Sequence, residues 1–156
     1  MPVRNSKLPK ILPRRLRHPL TRSQMMARVR SKDTQPEIRT RLLVYALGQS
    51  YRLHVASLPG KPDLANKAKR WAIFVHGCFW HAHASCGLAS KPRTNTGYWS
   101  AKLLRNSERD ATHQAALAAL GFDVCVVWEC TTRDSRELRR VLTRFFDRRQ
   151  RSARTG

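Results

Sequence analysis

The chain predicts an α/β sandwich, with helices on both sides of a central mixed β-sheet. Three observations carry that expectation. The hydrophobic pattern gives elements in the order α-β-β-β-α-β-α, with no internal repeat. Trp71-Ala-Ile-Phe-Val-His76 is apolar on both faces, as an interior strand must be. The helical segments on either side of the last strand each carry an apolar stripe, so they can cover a sheet. At 156 residues the chain fits one domain that buries a core without disulfide bridges.

Taken in order, residues 1–21 are rich in Pro, Arg and Lys, lack periodicity, and read as a flexible basic arm. The first helix starts at Thr34, because Thr34-Gln-Pro-Glu37 has capping-box spacing and Pro36 is tolerated in a first turn. Its expected apolar stripe is Ile38, Leu42 and Tyr45, with Leu43 and Leu47 beside it, and Gly48 ends it. Tyr51, Leu53 and Val55 alternate with polar residues as a half-buried strand. Leu58-Pro-Gly-Lys-Pro-Asp63 is a rigid turn that delivers Asp63 into the next extended piece. After the strand ending at His76 and a polar loop, residues 97–120 read as a long helix closed by Gly121, with Tyr98, Leu103, Ala111, Leu117 and Leu120 on its stripe. Phe122 to Trp128 is a second buried strand, and Ser135 to Phe146 a final amphipathic helix bearing Leu138, Leu142, Phe145 and Phe146. The folded domain is expected over residues 22–148, followed by a basic tail over 149–156.

Lys and Arg number 31 against 10 Asp and Glu, a formal charge of +21, and the excess is at the ends. Residues 1–32 hold ten basic side chains and no acidic one, and residues 133–154 hold nine against three. Cationic ends on a nearly balanced middle suit a polyanion, because each phosphate neutralised releases condensed counterion. A membrane surface fits less well, since Pro2, Pro9, Pro13 and Pro19 would interrupt an amphipathic basic helix. No apolar run approaches a transmembrane length, and the N-terminus lacks the apolar core of a secretory signal. The expectation is a cytoplasmic, nucleoid-associated protein, whose four cysteines serve as ligands or core residues rather than as a disulfide framework.

The densest chemistry lies in Phe74-Val-His-Gly-Cys-Phe-Trp-His-Ala-His-Ala-Ser-Cys86. Cys78, His83 and Cys86 fall within nine positions, and Cys130 follows the last strand, so thiolate and imidazole from two strand ends can close a tetrahedral zinc site. Four protein ligands leave no open position, which makes such a zinc structural. Cys125, inside the apolar strand, reads as core. Asp63 is a carboxylate of the kind that holds Mg²⁺ for phosphodiester cleavage, although a Pro-Asp pair alone is usually a turn. His76 and His81 are both candidates for proton transfer, and spacing does not choose between them. By sequence Asp110 reads as a solvated helix charge and Glu37 as the third residue of a capping box. Phe79, Trp80 and Trp99 are either core rings or a wedge for unstacking bases.

Read together, Met26-Ala-Arg-Val-Arg-Ser-Lys-Asp-Thr-Gln-Pro-Glu37, Leu58 to Asp63, Phe74 to His81, Asn106-Ser-Glu-Arg-Asp110 and Val127-Trp-Glu-Cys130 resemble the very short patch repair (Vsr) endonucleases, in order from about residue 22 to residue 146. The resemblance implies a restriction-endonuclease-like three-layer sandwich with a central mixed sheet and a structural Zn²⁺. It also implies Mg²⁺-dependent nicking of duplex DNA 5′ to the thymine of T·G mispairs that arise from deaminated 5-methylcytosine. Carried over by position, it makes Asp63 the Mg²⁺ ligand, joined by the backbone carbonyl of Val75. His81 becomes the general base with Glu37 oriented toward it, and His76 is paired with Asp110 near the scissile phosphate. The zinc set becomes Cys78, His83, Cys86 and Cys130, and Phe79, Trp80 and Trp99 become an intercalating wedge. A monomer acting on T·G-mismatched double-stranded DNA, away from membranes, is expected, and repair-protein partners are left open. The competing readings are a restriction-type nuclease of the same fold that cuts paired DNA, and a non-catalytic zinc-stabilised DNA-binding module. Position 75 is Val where some relatives have Thr, which is harmless if the ligand is the carbonyl, and the basic arm before residue 22 falls outside the resemblance.

Overall fold

The computed structural model describes residues 32 to 154, so the arm expected at 1–21 lies outside the described residues. The elements are α1 (Gln35–Ala46), β1 (Arg52–Leu53), β2 (Leu64–Asn66), β3 (Trp71–His76), α2 (Thr96–Ala119), β4 (Asp123–Trp128) and α3 (Ser135–Arg154). Short 3₁₀ turns lie at Gly87–Ala89 and Thr131–Arg133. This is the expected α-β-β-β-α-β-α order. The four strands form one mixed sheet in the order β1-β2-β3-β4. The β1/β2 and β2/β3 pairs are antiparallel, whereas β3 and β4 are parallel and joined through α2, as a parallel pair requires a crossover. In register His76 meets Trp128, so the residues that follow both strands emerge at one end of the sheet.

The pleat of β3 explains why it is apolar on both sides. Trp71 and Ile73 join Val44 of α1 and Leu138, Leu142, Phe145 and Phe146 of α3 in one core cluster. Ala72 and Phe74 join Leu58, Ala65 and Leu117 of α2 in a second cluster. Residues of alternating parity in a strand point to opposite faces, so α1 and α3 pack on one side of the sheet and α2 on the other.

Of the stripe expected on α2, Leu103 and Leu117 are buried while Tyr98 and Leu120 are exposed, and three further expectations change in the folded chain. On α1 the buried positions are Glu37, Thr40 and Val44, while Leu42 and Tyr45 are exposed at 63% and 74%. Apolar residues surround most of this helix, so periodicity did not select the buried face, and packing of Val44 into the core did. The strand predicted from Tyr51, Leu53 and Val55 shrinks to Arg52–Leu53, because His54 takes a left-handed backbone (φ 46°) that ends the extended run. Helix α3 continues past Phe146 to Arg154 through residues expected to be a tail, and Arg149 reaches back to Asp123 and the backbone carbonyls of Lys69 and Arg70.

The Leu58-to-Asp63 turn is rigid for a specific reason. Gly60 has φ 72°, and a Cβ there would come within 2.8 Å of His113 on α2. Only glycine lets the turn press against α2 and present Asp63 to the end of β3. Among the described residues no helix is long and apolar enough to cross a membrane.

Candidate active site

The chemically active side chains gather at the carboxyl ends of β3 and β4, in three groups. Asp63 enters from the turn before β2, and its Oδ2 accepts the Val75 backbone N–H at 2.7 Å. Burial pushes its carboxyl up to about 6, against the pull of the Val75 N–H, with the charge of Glu37 pushing the same way. A buried carboxylate in that position is short of positive charge, and a divalent cation would supply it.

His81 lies in the loop after β3, and its Nδ1 is in close contact with Asp110 Oδ2 on α2. One helical turn earlier, Asn106 Nδ2 donates to the carbonyl of Trp80 at 2.9 Å. Positions four apart share a helix face, so one face of α2 holds both the loop backbone and the imidazole. With the proton on Nδ1 donated to Asp110, Nε2 is left as the acceptor, the tautomer a general base needs. His76, the buried last residue of β3, stacks on the His81 ring with centroids 3.9 Å apart. Burial and the neighbouring His81 push its pKa down to about 4, so it is neutral near pH 7.

This geometry refines two pairings. The hydrogen-bond partner of Asp110 is His81, while His76 belongs to the same group, its donor atom within 4.8 Å of both. Glu37 does not face His81. Its carboxylate accepts Thr34 Oγ1 at 2.8 Å and the Asp33 N–H at 3.1 Å, completing the capping box, and its Oε2 stands 3.7 Å from His54 Nε2. The capping reading of Glu37 was therefore correct, while the solvated reading of Asp110 was not.

The third group is Cys78, His83, Cys86 and Cys130, whose donor atoms all lie within 4.8 Å of one another. His83 Nδ1 is 3.4 Å from Cys78 Sγ and 3.5 Å from Cys130 Sγ, and the Cys130 N–H points at Cys78 Sγ at 3.4 Å. Burial pushes the Cys78 thiol up to about 12, whereas the Leu88 backbone N–H holds Cys86 below its ordinary value. Three thiols and an imidazole in this compass fit a tetrahedral zinc, which would also stabilise the buried thiolate. Cys125 is buried in the core and outside the group, as expected.

Trp128 and Glu129, to which their sequence motif alone assigns no role, connect these groups. Trp128 stacks on His83 (4.0 Å, 5°) and meets His76 edge-on at 5.4 Å. Glu129 donates its N–H to the His76 carbonyl at 2.9 Å and accepts the Cys78 N–H on Oε2 at 3.3 Å. The cysteine group and the histidine pair thus share a wall. Phe79, Trp80 and Trp99 form their own cluster, with centroids 5.1 to 6.2 Å apart. These rings, either core or wedge by sequence, are half-buried against one another. Lys102 Nζ lies 5.5 Å from both indole rings, a cation that composition gave no reason to single out.

Comparison with known proteins fits this geometry. The family model for the DNA mismatch endonuclease Vsr matches residues 16–87. The chain is 42% identical to the DNA mismatch endonuclease Vsr of Escherichia coli over 118 residues, 76% of this chain and 75% of that protein. This chain belongs to the Vsr endonuclease family. It is also 43% identical over 129 residues to the type II nicking enzyme V.XorIIP of Xanthomonas oryzae pv. oryzae, covering 83% of this chain and 94% of that one. The type II nicking enzyme V.NmeAIP of Neisseria meningitidis is 37% identical over 124 residues, with coverage of 80% and 88%. Membership of the Vsr family makes this chain a DNA endonuclease, a hydrolase, and an endonuclease of this family implies a divalent metal.

Proposed function

We propose that this Vsr-family protein nicks one strand of duplex DNA 5′ to the thymine of a T·G mispair, using Mg²⁺ at Asp63 and a structural Zn²⁺ at Cys78, His83, Cys86 and Cys130. The observation that carries the reading is the loop from Gly77 to Ala82, which presents the His81–Asp110 pair and the aromatic cluster side by side. Catalytic and base-opening groups on one loop suit an enzyme that cuts beside a distorted pair. The sheet, with helices on both faces, supports a restriction-endonuclease-like three-layer sandwich.

In this mechanism His81 Nε2 takes a proton from water, and Asp110 stabilises the resulting imidazolium. The hydroxyl oxygen attacks phosphorus in line, and the bond to the 3′ oxygen breaks. That oxygen takes a proton from solvent, leaving a 5′-phosphate and a 3′-hydroxyl. A divalent cation held by Asp63 and the Val75 carbonyl would neutralise charge building on the phosphate and the departing oxygen. His76, neutral and stacked on His81, keeps the base in plane rather than acting as an acid. Phe79, Trp80 and Trp99 pry open the base step, which costs less at a T·G wobble than at a Watson–Crick pair, so selectivity needs no hydrogen-bond reading of the pair. One chain contains all of these parts, so a monomer suffices.

A second reading comes from the relatives named as type II nicking enzymes. If the cut depends on flanking sequence rather than on a mismatch, fully paired DNA is the substrate. Labelled duplexes that differ only in T·G against T·A, with and without Mg²⁺, separate the two. Mg²⁺-dependent nicking of the thymine strand in T·G alone supports the proposal, and equal cutting of both duplexes overturns its mismatch element.

A further inference from the structure

The ring of His54 lies between the carboxylates of Glu37 and Asp63. Its Nε2 is 3.7 Å from Glu37 Oε2 and its Nδ1 is 3.8 Å from Asp63 Oδ1. Donor atoms of the three residues all fall within 4.8 Å. Neither contact is short enough to be a hydrogen bond. The Nδ1 to Asp63 separation is instead only slightly longer than that of neighbouring ligands on one ion, roughly 3 to 3.5 Å when each bond is about 2.1 Å.

The surroundings fix which atoms are available. Glu37 is buried at 6% exposure and anchored by Thr34 and Asp33, so its position is set by the capping box. Asp63 Oδ2 is committed to the Val75 N–H, which leaves Oδ1 facing the ring. The His54 N–H donates to the Asp63 carbonyl at 3.0 Å, tying the two backbones together. A metal-bound histidine usually donates its other ring N–H to a carboxylate, and a closure of about 0.5 Å would bring His54 Nε2 into that relation with Glu37.

We infer that His54 is a direct ligand, through Nδ1, of the cation at Asp63, and that Glu37 is the carboxylate that orients its ring. The inference rests on the reading of Asp63 as the cation site and adds a nitrogen donor to it. Mg²⁺ seeks oxygen, whereas first-row ions such as Mn²⁺ accept imidazole, so His54 biases the site toward Mn²⁺. Glu37 then acts on the cation side of the site and has no part in holding the general base.

Pulsed EPR of Mn²⁺ on the full-length protein tests this directly. The expected result is a nitrogen hyperfine coupling that changes from the ¹⁴N to the ¹⁵N pattern when histidine alone is labelled and is absent in His54→Gln. Calorimetric titration should show Mn²⁺ affinity falling about 10-fold or more in His54→Gln with a smaller loss for Mg²⁺, and Glu37→Gln should weaken Mn²⁺ while keeping the coupling. Zinc content and the thermal transition report whether each variant has folded, and the labelling experiment needs no variant. Stoichiometric Mn²⁺ without histidine coupling in the wild type would overturn the inference, as would a coupling that survives in His54→Gln. Asp63→Ala separates the two levels. If it binds Mn²⁺ as tightly as wild type, the cation reading itself fails, whereas loss of binding there with a silent His54→Gln removes only the ligand assignment.

Discussion

At the scale of single residues, the site holds its charges at a cost to the fold. The Asp63 carboxyl, ordinarily near 3.8, is raised to about 6 chiefly by burial. The folded state therefore binds this proton more tightly than the unfolded chain, and without a cation stability falls as pH rises from about 4 to 6. In metal-free protein at pH 7, Asp63→Asn should raise the melting temperature, by the equivalent of on the order of 1–3 kcal/mol, because the amide still accepts the Val75 N–H without the buried charge. The same variant should lose Mg²⁺ binding and nicking, and a scan of melting temperature against pH, paired with a nicking assay, checks both. Asp110→Asn should slow nicking by about 10- to 100-fold with mismatch affinity retained, since it disturbs the orientation of His81 without touching DNA. His81→Ala should lose about 100-fold or more. Single-turnover rates at saturating DNA give both numbers, and a His81→Ala enzyme near wild-type rate would move the base elsewhere.

At the scale of elements, the loop after β3 has no regular hydrogen-bond ladder of its own. It is held by α2 through Asn106 and Asp110, by Glu129 through the Cys78 N–H, and by the cysteine group. A zinc there would do the work that a strand or helix does elsewhere, and the loop would then depend on metal. Purified protein should contain one zinc per chain. Cys130→Ser should lower that content and the melting temperature together, and because Trp128 joins His83 to His76, it should also slow nicking. Cys125→Ser should keep its zinc whatever it costs the core, and elemental analysis of the two variants decides the ligand set. The reverse ranking would refute it.

At the scale of the whole molecule, a formal +21 concentrated toward the two ends of the sequence suits contact with phosphates. Residues 1–20 contribute six basic side chains and no acidic one. Deleting them should weaken DNA binding and flatten its dependence on salt, while the preference for one substrate over another stays the same, because phosphate contacts position a protein without reading bases. Binding isotherms at several salt concentrations, with discrimination compared at matched occupancy, test this. Loss of discrimination would make the arm a reader of DNA.

The chain by itself determined the order of elements, the interior position of β3, the capping box at Thr34 and the membership of the cysteine group. Each of these is written in short-range spacing: alternation in strands, three- and four-residue steps in helices, and ligand types crowded into one loop. Tertiary structure decided the pairings. Sequence names His76, His81, Asp110 and Glu37 as chemically capable, but which imidazole meets which carboxylate depends on where α2 crosses the loop after β3, a contact spanning 29 residues of chain. His54 was invisible for the same reason. It follows a two-residue strand, carries no motif, and gains its place between two carboxylates only because a left-handed backbone turns it there. Local pattern fixes what a segment can form, and the packing of distant segments fixes which of its side chains touch.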